Sequence, residues 1–161
     1  LFFIIIGPGN LYCSILPNLI VPGIPEALRK SKAKIIFNCN LVNKKGHTEK
    51  FSLDDYVDVV NEFIGQKRIN YVTYNTKTPS KKLISKYENK KELLIRFNKE
   101  ANTKRNFRIV QGDFLSREKI NKHHADVLPV VRSFIRHDSI KLAKILMKII
   151  KNKEHGRTIK K

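Results

Sequence analysis

The chain has 161 residues, of which 41% are hydrophobic, and a formal net charge of +19. That length is one ordinary domain, and that apolar fraction supports a core and is too high for a disordered chain. No apolar run reaches the roughly 18 residues that a membrane-crossing helix needs, and the short run 1–6 has no basic segment before it, so it fits neither a signal peptide nor a spanning helix.

Residues 2–6 form a continuous β-branched apolar run, the pattern of a strand buried on both faces in a parallel sheet. Gly7-Pro8-Gly9 stops it and forces a turn. Residues 15–25 are broken by Pro17, Pro22, Gly23 and Pro25, so they cannot be one regular helix. A short helix over 26–30 follows Pro25, since proline suits a first helical position. Residues 34–41 read as a second buried strand, and 42–51, with Gly46, as a polar loop. Ser52 caps a helix over 53–64 whose buried face carries Tyr56, Val59, Val60 and Phe63, and Gly65 ends it.

Residues 70–75 are a third strand. Pro79 and Ser80 open a helix ending near Tyr87, with Lys81 and Lys82 opposing its dipole. Two further strands are expected over 93–97 and 107–111, with a turn-like 98–106 between them and Gly112-Asp113 closing the second. Asp138 or Ser139 caps a last helix over 140–150, with Ile140, Ala143, Leu146, Met147 and Ile150 on its apolar stripe. Residues 152–161 read as a basic, frayed tail. Strands alternating with helices mean βαβ units, hence an α/β fold with a mostly parallel sheet in one domain over 1–151.

The 33 basic residues are dispersed, with 7 in residues 1–50, 13 in 51–110 and 13 in 111–161, and Lys, Ile and Asn are all abundant, as an AT-rich coding bias produces. No stretch interleaves aromatic rings with a basic stripe, so the charge reads as solvated surface with weak, salt-sensitive affinity for polyanions. Cys13 and Cys39 form no Cys-x-x-Cys pair, which fits a reducing cytoplasm. His123-His124 are neighbours that do not face one metal together.

The stretch from Gly7 to Asn18 is the most informative. A buried strand runs into glycines and polar side chains, and ligands of open α/β sheets bind at the carboxyl ends of strands. Gly7 and Gly9 let the backbone approach a phosphate, and their amides with Asn10 and Ser14 can form an anion-binding concavity. The same residues also suit a plain strand-to-helix turn with polar caps, since neither Gly-x-Gly-x-x-Gly nor Gly-Lys-Ser/Thr is present. Asp54 and Asp55 suit a helix start better than a metal pair. Arg136 and His137 either reach a phosphate or belong to a helix entry capped by Asp138. Cys13 has no neighbour that would activate a thiolate.

Gly7-Pro8-Gly9-Asn10-Leu11-Tyr12-Cys13-Ser14-Ile15-Leu16-Pro17-Asn18-Leu19-Ile20-Val21 resembles the signature block of the gluconeogenesis-factor (YvcK-like) family, relatives of the 2-phospho-lactate transferases (CofD). The family usually has Ser in place of Asn10 and Thr in place of Cys13. The likeness continues through Pro22-Gly23-Ile24, Glu26-Ala27-Leu28 and Asn38-Cys39-Asn40-Leu41. A second block survives in Asn40, Leu41, Gly46, Thr48, Phe51, Ser52 and Asp55, while Val42, Asn43, His47, Glu49, Lys50 and Tyr56 depart from it. Arg136-His137-Asp138 with Lys141-Leu142-Ala143 resembles a third.

The resemblance implies a Rossmann-like three-layer fold, of which this chain is the C-terminal half. The family's glycine-rich nucleotide loop is then expected upstream of Leu1. It implies Gly7, Gly9, Asn10, Leu11, Tyr12, Ser14, Asn18, Asn40 and Thr48 as ligand-binding residues, with no catalytic or metal-ligating residue assigned. Leu11-Tyr12 and Leu16-Pro17-Asn18 resemble the branch that binds uridine-diphosphate sugars and regulates carbon flux, cell-wall synthesis and cell shape. The alternative is the branch that transfers a phospholactyl group with magnesium. A basic nucleic-acid-associated domain is a third reading, resting on charge alone.

Overall fold

The structure, a computed structural model, describes residues 2–88, 93–98, 104–117 and 135–154. Four strands, β1 (Phe3–Ile6), β2 (Lys34–Asn38), β3 (Ile69–Asn75) and β4 (Arg108–Gly112), form one sheet in the order β1-β2-β3-β4. Every pairing is parallel. The expected α/β class and the adjacency of the first three strands are therefore found. The register slips once, between Ile35 and Ile36, and there the Asn70 side chain accepts the Ile35 amide at 2.9 Å.

Helices cover both faces. A π-helical turn (Leu11–Ile15) runs into α1 (Leu16–Leu19), and α2 (Ile24–Lys30) follows. With α3 (Leu53–Ile64) they pack Leu16, Leu28, Tyr56, Val57 and Val60 against Ile35, Phe37 and Val72. Parallel strands in sequential order put their crossovers on one side. The opposite face carries Ile36 and Tyr71, and α5 (Ser139–Glu154) covers it with Ile145, Leu146 and Ile149. The remaining helix, α4 (Lys81–Glu88), follows Pro79 and Ser80 as expected.

Several local readings are corrected. Strand β1 is only half-buried, with Ile5 46% exposed, because it lies at an edge of the described sheet. Residues 93–97 form no strand. They touch the turning segment 41–43 through a single antiparallel bridge, Val42 to Leu94, and the Arg96 carbonyl is taken by the Leu53 amide at the start of α3. On α3 the deeply buried positions include Val57 and Ile64, whereas Val59 and Phe63 are partly buried. On α5 the inward stripe is Leu142, Ile145, Leu146 and Ile149, while Ile140, Ala143 and Met147 are exposed. Both apolar stripes satisfy a helical period, and only the sheet decides between them. Helix α5 also continues to Glu154, into the expected tail. Residues 155–161 and the His123-His124 pair lie outside the described residues.

The cap of α3 is as read. Ser52 and Asp55 form a capping box, and Gly65 closes the helix at φ 79°. Beyond Gly65, side chains organise the entry to β3. Asn61, 6% exposed, accepts the amides of Arg68 at 2.8 Å and Ile69 at 3.2 Å. Arg68 in turn donates to the carbonyls of Leu28, Ser31 and Ala33. Replacing Asn61→Ala strands two amides in a dry environment, and urea unfolding is expected to show a loss of roughly 2–4 kcal/mol. A loss within measurement error would mean that Asn61 does not organise this corner.

Candidate functional site

Because all four strands are parallel, their carboxyl ends lie along one edge of the sheet. Gly7, Cys39-Asn40, Thr76 and Asp113 follow these ends. Asn38, 1% exposed, ties β1, β2 and β3 together: its amide donates to the Ile6 carbonyl at 3.0 Å, and Thr73 donates its hydroxyl to Asn38 Oδ1 at 3.1 Å.

The glycine turn occupies residues 7–10 and leads directly into the helical turn that begins at Leu11. Asn10 Oδ1 caps the helical turn by accepting the amides of Tyr12 and Cys13, each at 3.1 Å, and the Asn10 carbonyl takes Ser14 at 2.8 Å and Ile15 at 3.1 Å. The two glycines differ. A side chain at Gly9 would meet Ser14 Cβ at 3.1 Å, so it would crowd the first helical turn. A side chain at Gly7 would meet nothing within 4 Å, and its φ is not positive, so the fold leaves that space open.

Two clefts open on this edge. The first, about 320 Å³, is lined by Pro8, Gly9, Asn40, Leu41, Arg136 and His137 among others. It unites three stretches that are far apart in sequence. Asp138 caps α5 by accepting the Lys141 amide at 3.0 Å, so the Arg136-His137-Asp138 segment is a helix entry, and Arg136 and His137 also line the cleft. Burial holds the His137 pKa below the ordinary histidine value, against a smaller opposing pull from the Cys39 backbone. Asn40 Oδ1 is buried without a partner, a cost of about 1–3 kcal/mol that a ligand's donor can remove once the amide turns. The second cleft, about 290 Å³, lies at the ends of β3 and β4 and shares Asn40 and Leu41 with the first.

Of the residues expected at the site, Gly9 and Asn40 line the first cleft and Gly7 and Asn10 flank it in sequence. Tyr12 is 43% exposed, with its ring edge-on to His47 at 6.1 Å. Ser14 and Asn18 sit further along the helix, where Asn18 donates to the Ser14 carbonyl at 2.7 Å. Leu11, 1% exposed, belongs to the core. Thr48, 2% exposed, accepts the Lys44 amide at 2.9 Å and bonds the Tyr56 hydroxyl at 2.9 Å, so its hydroxyl is committed inside the fold. Asp55 completes the cap, as a helix-start residue would, whereas Asp54 is not free solvated charge but pairs bidentately with the buried Arg105 side chain. Cys13 is exposed and Cys39 buried, and burial pushes the Cys39 thiol up. Tyr74, Thr76, Lys77, Phe97 and Gln111 of the second cleft escaped the sequence reading, although the strand-end rule pointed at Thr76.

Residues 2–115 match the family described as the 2-phospho-L-lactate transferase CofD. The chain belongs to this family. Among curated relatives it is similar to a gluconeogenesis factor of Clostridium acetobutylicum, 34% identical over 94% of this chain and 31% of that protein. It is also similar to one of Aquifex aeolicus, 35% identical over 92% of this chain and 42% of that protein. The chain thus spans about a third to two-fifths of the length of these relatives. A crystal structure of a UPF0052-family protein from Bacillus halodurans superposes with a TM-score of 0.75 at 23% identity, over 90% of this chain and 42% of that one, a likeness of fold.

The lowered pKa of His137 has a sign that can be measured. The folded state resists protonating it, so below the ordinary value of 6.5 the unfolded state binds the proton first and stability falls with pH. His137→Gln is expected to unfold with a smaller loss of midpoint between about pH 7 and about pH 5. Equal losses in both proteins would place the acid sensitivity elsewhere.

Proposed function

We propose that this chain carries one wall of a nucleotide diphosphate-sugar site, with a uridine-diphosphate sugar as its ligand, and that it regulates by binding rather than by turnover. The supporting observation is the first cleft. Backbone at Gly9, the Asn40 amide and the Arg136 and His137 side chains converge at the strand ends, where α/β sheets take their ligands. Tyr12 is the first amide that the Asn10 cap captures, so the amides of Gly9 and Asn10 precede it and can meet a diphosphate. The relatives' name favours a role in carbon metabolism, and the resemblance of the first sequence block extends the proposal to cell-wall synthesis and cell shape. A cytoplasmic location is part of the proposal, since its ligand is made there. No single described helix is long and apolar enough to cross a membrane.

The second reading, a phospholactyl transferase, is favoured by the description of the matching family. Magnesium would need carboxylate oxygens beside the phosphates. Among the described residues no cluster of three candidate ligands exists, and Lys141 engages Asp113. These residues alone do not fit a magnesium site, and no step is derived through one.

Calorimetric titration of the full chain with a uridine-diphosphate sugar tests the proposal. Asn40→Ala and Arg136→Ala are each expected to weaken binding roughly ten- to a hundredfold, the effect of one hydrogen bond to a charged group. Unchanged affinity in both variants would remove this cleft from the site. A new phosphorus resonance on adding a guanosine-diphosphate-linked phospholactyl donor with a flavin-like acceptor and magnesium would favour the transferase.

Charge gives an independent check. Duplex and single-stranded nucleic acid are expected to bind weakly, without sequence preference, and to dissociate as salt rises, because released counterions drive the binding. The pair Lys81→Ala and Lys82→Ala, exposed at the start of α4, lowers that affinity and spares sugar-nucleotide binding. A sequence-selective complex stable near physiological salt would instead favour the nucleic-acid reading.

A further inference from the structure

We propose that the second cleft is the base pocket of the same ligand, so that a nucleotide lies across the sheet edge with its ring against Tyr74 and Phe97 and its diphosphate over the glycine turn. This rests on the sugar-nucleotide reading above. It adds where the base goes and which side chains hold it.

The aromatic pair is fixed in place. Tyr74 and Phe97 pack edge to face with centroids 4.5 Å apart. The Tyr74 hydroxyl donates to the Ile95 carbonyl at 2.9 Å. The Arg105 guanidinium lies 5.5 Å from the Phe97 centroid, and Asp54 grips it in a two-pronged ion pair with the arginine side chain only 4% exposed. A ring held by a neighbouring ring, a carbonyl and a buried cation is a preorganised stacking surface.

The rim supplies polar groups. Thr76, Lys77 and Gln111 are exposed at the mouth. They offer a hydroxyl, a cation and an amide to a base edge, a ribose or a phosphate. A purely apolar ligand would leave them without use. A cleft of about 290 Å³ suits one nucleoside and is too small for a polymer.

The spacing links the two clefts. Strand β2 lies between β1 and β3. Neighbouring strands are about 4.8 Å apart, so Gly7 and Thr76 end strands separated by roughly 10 Å. A ribose and two phosphates bridge that distance, and Asn40, which lines both clefts, stands midway.

The test uses the full chain, a uridine-diphosphate sugar, uridine monophosphate and a sugar 1-phosphate. Loss of a base–aromatic stack weakens binding roughly five- to a hundredfold. Phe97→Leu is therefore expected to weaken the first two ligands by that factor and to leave the sugar phosphate unchanged. If the unaltered protein binds the uridine-diphosphate sugar and Phe97→Leu binds it equally well, the base pocket is overturned while the diphosphate reading stands. If the unaltered protein binds none of the three, both fall. Should thermal melting show that Phe97→Leu does not fold, transferred NMR contacts decide in the unaltered protein. Contacts from the uracil ring hydrogens to a phenylalanine and a tyrosine ring support the pocket, and their absence in a bound complex overturns it.

Discussion

Asn38 is the side chain on which the sheet edge depends. A buried primary amide is costly unless both its ends are paired. Here the pairing crosses three strands, from the last carbonyl of β1 through β2 to the Thr73 hydroxyl on β3. Strand β1 has only one described neighbour and half-buried side chains, so its carboxyl end is the least constrained part of the sheet. The clamp fixes that end against β2. It thereby sets where Gly7–Asn10 stands relative to Asn40, two residues beyond the clamp itself.

A second anchor closes the site from the other side. Lys141, in the first turn of α5, donates to Asp113 at 3.0 Å and to the Leu115 carbonyl at 2.8 Å. Its ammonium holds the Asp113 carboxyl below the usual carboxylate range. The isolated bridge between Leu115 and His137 lies beside it. Together they tie the segment entering α5 to the end of β4, and so Arg136 and His137 stand at the first cleft. The two glycines divide the work there. Gly9 lies close against Ser14, and Gly7 keeps an approach open.

Much of the network under the loop 42–51 serves shape. The Lys44 amide bonds Thr48, Thr48 bonds the Tyr56 hydroxyl, and Tyr56 bonds Asn43, which donates to the Phe51 carbonyl. Burial pushes the Tyr56 phenol up, which keeps it protonated and able to donate. The family block that contains Thr48 thus has a structural explanation that needs no ligand. Its neighbour Asn40 has none, since its Oδ1 is buried without a partner.

The sequence by itself determined the α/β class, the chain positions of the four strands and the ends of α3, but not that 93–97 forms no strand. Those depend on local signals: apolar runs, prolines, Ser52 with Asp55, and Gly65. The Gly7–Ser14 block was also legible, because a strand ending in glycines is a local pattern. Three things were decided only by tertiary structure. The inward stripe of α5 depends on which face meets Ile36 and Tyr71, and a helix carrying apolar residues around much of its circumference does not specify this. The exposure of β1 depends on its place in the sheet, which its composition does not encode. The clefts depend on parallel strands bringing Gly9, Asn40, Tyr74 and His137 to one edge across more than half the chain. No spacing rule predicts such a meeting, because it is set by strand order and by a buried amide that bonds across strands.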